Sequence, residues 1–316
     1  MEPYLILALL LLVSLYLNGD FLSDFLRPQR SGLNINRQTE LIEFLTQHKK
    51  REKNYANPPE EFKEFGRAVQ GEITGDVGVV RYVFPLVGHH EVEFSCTLTP
   101  QEVSQEVDAF GATSDCVVKK SEDTLGVNTQ AGAEYLRREL PKGGFTYGDE
   151  PFGIDYNYLV RKTGSIGKAI AATILRELQQ RSLDSRENRV RAAANFVQFI
   201  PYGQPNFDTE HHMYLGMAVP HESVVLSFSD CDSKSVLLAA ILVHLVDYRD
   251  LVLVHCTSGG EHMILGVAGM EMIACNQVSY NGRRHLLIET TTPVGLDHPF
   301  VDNIVIHQYY PLKETA

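Results

Sequence analysis

A helix start directly after a short acidic segment is the feature that most constrains this sequence. Residues 228–235 read Phe-Ser-Asp-Cys-Asp-Ser-Lys-Ser, and an apolar run follows from Val236 to Val246. Ser or Asp just before a run with helical apolar spacing is typical of an N-cap, so we expect Cys231 in the first turn of a buried helix. The free N–H groups and the positive end of the helix dipole favour a thiolate there. The position therefore predicts a nucleophilic cysteine.

Two further side chains follow Cys231 in an order that suits nucleophilic catalysis. His262 precedes the apolar, strand-like segment 263–267, and Glu289 ends a second such segment, 285–288. A cysteine at a helix N-terminus that faces two adjacent strands carrying a histidine and a carboxylate forms a catalytic triad. The predicted roles are attack by Cys231, proton transfer by His262 and orientation of the imidazole by Glu289.

Each of these residues has a plainer interpretation when it stands alone. A single cysteine in an apolar helix is usually a small buried hydrophobic residue. A histidine at a strand end is often satisfied by the backbone, and a glutamate there is often solvated. The order and context of the three residues favour the catalytic interpretation.

The same blocks resemble the transglutaminase-like superfamily, in particular its bacterial, membrane-anchored members. The resemblance covers residues 185–295 and includes Phe196–Tyr202 and Val219–Ser223, upstream of the cysteine block. It implies a papain-like α+β core, in which a nucleophile helix packs on an antiparallel sheet and the active site is a Cys-His-Asp triad.

Three positions depart from the pattern of that superfamily. Ser229 stands where the family usually has glycine, and Met263-Ile264 replaces a small residue followed by an aromatic one. Glu289 replaces the commoner aspartate. A glutamate is longer, but it can still orient a histidine.

The resemblance also places helices before the nucleophile helix, and these offer candidates for oxyanion binding. A tetrahedral intermediate requires a hydrogen-bond donor beside the Cys231 amide. Gln198 or Tyr202 is predicted to supply it. Simple packing or surface polarity is the alternative for each.

The leading functional hypothesis is thiol-dependent acyl transfer on an amide. Hydrolysis of a peptide or isopeptide bond and transglutamination both pass through a Cys231 acyl-enzyme and differ only in whether water or an amine attacks it. We favour hydrolysis of a protein or peptide substrate, because no amine-binding surface is visible in the sequence. The competing hypothesis is a catalytically silent, membrane-tethered protein-binding module with the same fold.

An apolar run near the N-terminus predicts a membrane anchor. Residues 3–17 are almost uniformly apolar, and further apolar residues follow a polar break. About twenty apolar residues cross a bilayer as a helix, so we expect 1–26 to be an uncleaved single-pass anchor that contacts the membrane through residues 3–26. A signal peptide and a buried helix are the alternatives. Arginines after the run favour a cytoplasmic body, whereas membrane-tethered relatives commonly face outward, so the side of the membrane stays open.

The rest of the chain divides into three predicted parts. Residues 27–70 are interpreted as a helical linker, because helix-like segments flank the Asn-Pro-Pro break at 57–59. Residues 71–160 have alternating apolar patterns and are predicted to form a small α+β domain of unknown role. A structural extension packed on the catalytic domain is the alternative. Residues 161–316 are the predicted catalytic domain.

Charge and ligand spacing exclude several classes of protein. The formal net charge of −12 argues against a nucleic-acid partner, because phosphate binding needs a basic surface. Adjacent histidines in Asp208–His212 point in opposite directions on an extended chain, so we interpret the segment as a polar loop and predict neither a metal nor a cofactor. The four cysteines other than Cys231 form two disulfides or none, and none has a C-x-x-C spacing.

Overall fold

Helices and strands are mixed in the computed structural model of this protein. The model describes residues 73–74, 77–87, 90–98, 109–113, 117–121, 124–127, 137–146, 153–162, 164–203, 212–226, 228–258, 260–270, 276–296 and 304–314. All of them belong to one compact unit, Asn54–Ala316. The predicted α+β class is confirmed at this level.

The predicted membrane anchor, 1–26, and the predicted linker, 27–70, lie outside the described residues. Where the structure describes the chain, none of its helices combines the length and the apolar character that spanning a bilayer requires.

The described strands that precede Cys231 in the chain are all antiparallel. They are β1 (Ile73–Thr74), β2 (Val77–Pro85), β3 (Glu91–Leu98), β4 (Ala112–Thr113), β5 (Val117–Ser121), β6 (Thr124–Val127) and β7 (His212–Met213). β1, β2 and β3 form one sheet in that order, β5 pairs with β6, and β4 pairs with β7.

Within the described residues, five α-helices build the core, three of them before β7 and two after it. They are α1 (Tyr156–Lys162), α2 (Gly164–Gln180), α3 (Arg186–Gln198), α4 (Pro220–Leu226) and α5 (Cys231–Leu242). Ser185 caps α3, and its side chain accepts a hydrogen bond from the Asn188 amide at 3.2 Å. This hydrogen bond satisfies one of the free N–H groups in the first turn of α3.

The β2–β3 hairpin shares its core with these helices. The rings of Tyr82, Phe84 and Phe94 pack edge-on against Phe196 of α3, with centroids 5.2, 5.2 and 5.6 Å apart. The Tyr82 hydroxyl donates to the Val224 carbonyl of α4. These contacts agree with the alternative interpretation of residues 71–160 as a structural extension of the helical core.

The helix α5 is buried from Ser233 to Leu242 and begins as the sequence predicts. Asp230 is its N-cap and accepts a hydrogen bond from the Ser233 amide at 3.0 Å. α2 crosses α5 so closely that a Cβ atom at Gly167 would lie 2.3 Å from the Ala240 carbonyl oxygen. Cys231 therefore stands at the partly buried start of a helix that is fixed on several sides.

A five-stranded antiparallel sheet follows α5, as predicted. Its strands are β8 (Leu251–Thr257), β9 (Glu261–Ala268), β10 (Gln277–Tyr280), β11 (Arg283–Ile288) and β12 (Val305–Pro311). Their spatial order is β10-β11-β9-β8-β12. The β10–β11 turn has positive φ angles at Asn281 (49°) and Gly282 (73°), the conformation that Asn-Gly hairpins favour.

The register of the sheet brings two predicted site residues to the same end of the sheet, where β9 begins and β11 ends. In β9, His262 lies opposite Cys256, near the end of β8. The last residue of β11, Ile288, lies opposite Leu265 of β9. Since β9 and β11 are antiparallel neighbours, the start of β9 and the residue after β11, Glu289, meet at the same end of the sheet.

Candidate active site

His262 and Glu289 form a direct hydrogen-bonded pair at this end of the sheet. The His262 Nε2 atom lies 2.8 Å from Glu289 Oε2. Only 14% of the His262 side chain and 8% of the Glu289 side chain are exposed. Because Nε2 faces the carboxylate, Nδ1 is the ring nitrogen that remains for a proton from a thiol.

The carboxylate of Glu289 is itself fixed by the residues that follow it. Its Oε1 atom accepts hydrogen bonds from the Thr291 amide at 2.6 Å and from the Thr291 hydroxyl at 2.5 Å. Burial alone would raise the pKa of Glu289, but the hydrogen bonds from His262 and Thr291 outweigh it and hold this pKa below its ordinary value. Glu289 is therefore a charged, oriented partner for the imidazole at neutral pH.

Gln198 forms three hydrogen bonds with the loop that follows β11. Its Nε2 atom donates to the carbonyl groups of Glu289, at 2.7 Å, and Gly295, at 3.2 Å. Its Oε1 atom accepts from the Gly295 amide at 3.1 Å. Both ends of the amide thus bond the segment after β11, and these contacts position Glu289 without supporting the predicted oxyanion role of Gln198.

Cys231 lies beside the strand that carries His262. The Met263 backbone is close enough to the Cys231 thiol to lower its pKa slightly. The thiol itself donates to Asp232 Oδ1, with a sulfur–oxygen distance of 3.2 Å. The structure thus places the cysteine next to the residue that follows His262, with its proton directed to a neighbouring carboxylate.

The predicted thiolate is wrong for this arrangement. Burial raises the pKa of the Cys231 thiol, and the charges of Asp232 and Asp230 raise it further. The N-terminus of a helix stabilises an anion by only about 0.3–1 kcal/mol, which two adjacent carboxylates and desolvation outweigh. Cys231 is therefore a neutral thiol that needs a general base.

A serine that the sequence analysis missed fixes the helix against both strands. Ser235, one turn after Cys231, donates to the Met263 carbonyl at 2.9 Å. Its hydroxyl also lies 3.2 Å from the Thr290 hydroxyl. Met263 and Thr290 directly follow His262 and Glu289, so one side chain sets the position of α5 relative to both. The i+4 spacing from Cys231 was the available sequence signal.

Tyr202 lies next to the segment that leads into α5. The Ser229 amide donates to the Pro201 carbonyl at 3.0 Å, and the Gly203 amide donates to the Ser229 carbonyl at 3.1 Å. The Tyr202 side chain is 42% exposed. Tyr202 therefore lies beside Ser229, two residues before Cys231, and its oxyanion role stays a prediction.

The Asp232→Asn variant is expected to make Cys231 more reactive. The change removes a negative charge at hydrogen-bond distance from the sulfur, so the pKa of the thiol should fall and alkylation by iodoacetamide at pH 7 should become about tenfold faster. Mass spectrometry of timed reactions measures the rate. Asp247→Asn, at an exposed site, is the matched control and should leave it unchanged. An unchanged rate in Asp232→Asn would remove Asp232 from the control of the thiol.

The other candidate ligands do not form a metal site where the structure describes them. Within the described residues, no group of three or more His, Cys, Asp or Glu side chains is arranged to hold an ion. Residues 208–211 lie outside the described residues, and His212 belongs to β7. Cys231 and Cys256 are both free thiols, while Cys116 and Cys275 lie outside the described residues.

The site thus consists of a thiol at a helix N-terminus and an oriented histidine–carboxylate pair on the sheet against which that helix packs. No protein-family model matches this chain, and no curated protein matches it either.

Proposed function

We propose that this protein is a thiol-dependent enzyme that transfers acyl groups from an amide. The observation that carries the proposal is the largely buried His262–Glu289 pair, joined at 2.8 Å, at the start of the strand whose next residue, Met263, acts on the Cys231 thiol. An imidazole held by a fixed carboxylate is the arrangement that deprotonates a nucleophile and stabilises the imidazolium that results. Burial of the pair also argues against a purely solvated surface contact.

The reaction begins with the neutral thiol. As substrate binds, the Cys231 proton moves from its contact with Asp232 to His262 Nδ1, and the sulfur attacks the carbonyl carbon. The Cys231 backbone N–H, at the first turn of α5, is a donor for the resulting oxyanion. The C–N bond then breaks, and His262 returns its proton to the leaving amine. Water attacks the thioester, releases the acid and restores the thiol.

The order of elements supports a papain-like core as part of the proposal. A nucleophile helix followed by an antiparallel sheet with the histidine and the acid on adjacent strands is what the transglutaminase-like resemblance implies. Glu289 takes the place of the family aspartate. We propose a protein or peptide substrate and, from the sequence, tethering to a membrane through residues 3–26.

Hydrolysis remains the reaction that we favour over transfer to an amine. Asp230 and Asp232 place two carboxylates near the thiol, which would attract a cationic amine. However, both oxygens of Asp232 are already engaged, by the Cys231 thiol and by the Tyr156 hydroxyl at 3.2 Å. Water needs no such binding group.

One observation favours the second candidate, a silent binding module. The Cys231 thiol is held by Asp232, and its pKa is raised, as expected for a cysteine that is not used. Under this hypothesis the His262–Glu289 pair only closes the edge of the sheet.

Covalent labelling of the full chain with a peptide-like activated ester separates the two candidates. We expect a mass adduct on Cys231 that forms faster than any adduct on the other cysteines and is absent in Cys231→Ser. Hydroxylamine should release the acyl group, because the bond is a thioester. A folded protein that gives no Cys231 adduct, measured beside a circular dichroism spectrum, would favour the binding module.

A further inference from the structure

Lys234 is a fully buried cation three residues after Cys231, and the proposed reaction does not use it. Its exposed fraction is 0%. The Nζ atom donates to the backbone carbonyl of Ile200 at 2.5 Å. A fully buried lysine in the first turn of a helix is unusual, because an ammonium loses its hydration there.

This burial costs stability that an apolar residue would not. Burial lowers the pKa of Lys234 to about 7, which means that desolvation strongly disfavours the ammonium form. Replacing a buried charge by an apolar residue of similar volume is often neutral or stabilising. A chain that keeps the charge at this position gives up stability, and such positions occur mostly at functional sites.

The charges that act on Lys234 belong to the candidate active site. Glu289, after β11, and Asp230, at the start of α5, favour its ammonium form, and so does Cys231 when it is a thiolate. Coulomb interactions are reciprocal, so a charged Lys234 favours the ionised forms of the same three groups. Two of these groups are the nucleophile and the carboxylate of the triad.

The contact with Ile200 joins the Lys234 side chain to the segment that lies beside the N-cap of α5. Ile200 is followed by the segment 201–203, which pairs with Ser229 beside the N-cap of α5. The Lys234 ammonium thus bonds the chain just before segment 201–203 and also acts on the charged groups near the Cys231 thiol.

We propose that Lys234 is a positioning residue whose buried ammonium offsets the carboxylates around Cys231 and makes deprotonation of the thiol easier. The proposal rests on the proposed nucleophilic role of Cys231. It is tested by the reactivity of the thiol alone, so that a failure of acyl transfer and a failure of this proposal are distinguishable.

The test compares Lys234→Met with the unmodified protein in iodoacetamide alkylation of Cys231 between pH 6 and pH 9. Below pH 7 the lysine is charged, and its loss should slow alkylation about tenfold. Above pH 7 the amine is neutral, and Asp230, whose own pKa burial and Asp232 raise to about 7, is ionised in both proteins, so the two rates should converge by pH 9. Lys168→Met, an exposed site on α2, is the matched control and should follow the unmodified protein at every pH.

The pH dependence separates an electrostatic role from a structural one. A neutral amine can still donate to the Ile200 carbonyl, so loss of that contact alone would change the rate equally at pH 6 and pH 9. Lys234→Gln retains an N–H donor without the charge and should behave as Lys234→Met does. A ratio that does not vary with pH, or equal rates at pH 6, would overturn the proposal.

The melting temperature, Tm, is a second readout that shows whether the variant folds and how much stability the buried charge removes. The pKa of Lys234 is lower in the folded protein than its ordinary value of 10.5, so its destabilising effect is complete below pH 7 and disappears as pH rises toward 10.5. Lys234→Met should therefore raise the Tm more at pH 6 than at pH 9. An equal change in Tm at both pH values would contradict the burial of a charge.

Discussion

The His262→Ala variant is expected to lose acyl transfer almost completely while it stays folded. Because the pKa of the Cys231 thiol is raised, little thiolate exists at neutral pH, and the reaction depends on a base. Removal of a general base that also protonates the leaving group typically costs about 10²–10⁴-fold in rate. We expect a loss toward the upper end of this range, because the leaving group of an amide must be protonated.

The measurement is the initial rate of thioester formation on Cys231, followed by mass spectrometry with the peptide-like ester and with an amide of the same acyl group. The loss should be larger for the amide than for the ester, since an ester leaving group needs less help from an acid. A uniform loss for both substrates would assign His262 to binding and leave the acid role open.

The chain supplies a matched control in its second histidine–glutamate pair. His255 Nε2 lies 2.5 Å from Glu261 Oε2 on the neighbouring strands β8 and β9, and 28% of the His255 side chain is exposed. His255→Ala removes the same type of side chain from the same sheet and should leave the rate within about twofold of the unmodified protein, as surface changes usually do. If both variants lost activity equally, the special role of His262 would be untenable.

The location of Cys231, His262 and Glu289 could be predicted from the sequence because each depends on local signals. Asp230 before an apolar run predicts the start of α5, and the structure has that cap. Asn281-Gly282 predicts the hairpin that makes β11 turn back beside its neighbours. Once β9 and β11 are antiparallel, the approach of His262 to Glu289 follows from the strand ends.

The charge state of the site could not be predicted in the same way. The helix dipole is a local property, whereas the pKa of Cys231 depends on burial and on where the carboxylates of Asp232 and Asp230 point. The amide of Gln198 likewise has a role that depends on a loop 91 residues away in sequence. Side-chain direction in the folded chain decides these functions, and no periodicity encodes it.

The Glu289→Gln variant is expected to slow acyl transfer by about 10²–10⁴-fold, by changing the tautomer of His262. The oxygen of the new amide would accept from Thr291, as Glu289 Oε1 does at 2.6 and 2.5 Å. Its NH₂ group would then face His262 Nε2, which would become an acceptor. The imidazole proton would move to Nδ1, where it would block transfer of the Cys231 proton.

Glu289→Asp and Thr291→Val distinguish charge from position. Aspartate keeps the carboxylate but is shorter, so Glu289→Asp should be more active than Glu289→Gln although longer distances weaken it. Thr291→Val removes one of the two donors to Oε1 and leaves the backbone donor in place, so it should lower the rate only several-fold. Equal rates for Glu289→Asp and Glu289→Gln would mean that the length of the side chain, and not its charge, matters.

The acid stability of the same variants gives an independent check on the charge of Glu289. The pKa of this residue is lower in the folded protein than its ordinary value of 4.5, so it adds stability above pH 4.5 that disappears as pH falls through the lowered pKa. Glu289→Gln cannot titrate there, and its free energy of unfolding should depend less on pH below 4.5 than that of the unmodified protein. An identical dependence would mean that Glu289 is not the fixed anion on which the proposed proton transfer relies. In that case the loss of activity in Glu289→Gln would have to come from a shift of the loop between β11 and Gly295, because Gln198 bonds that loop at both ends.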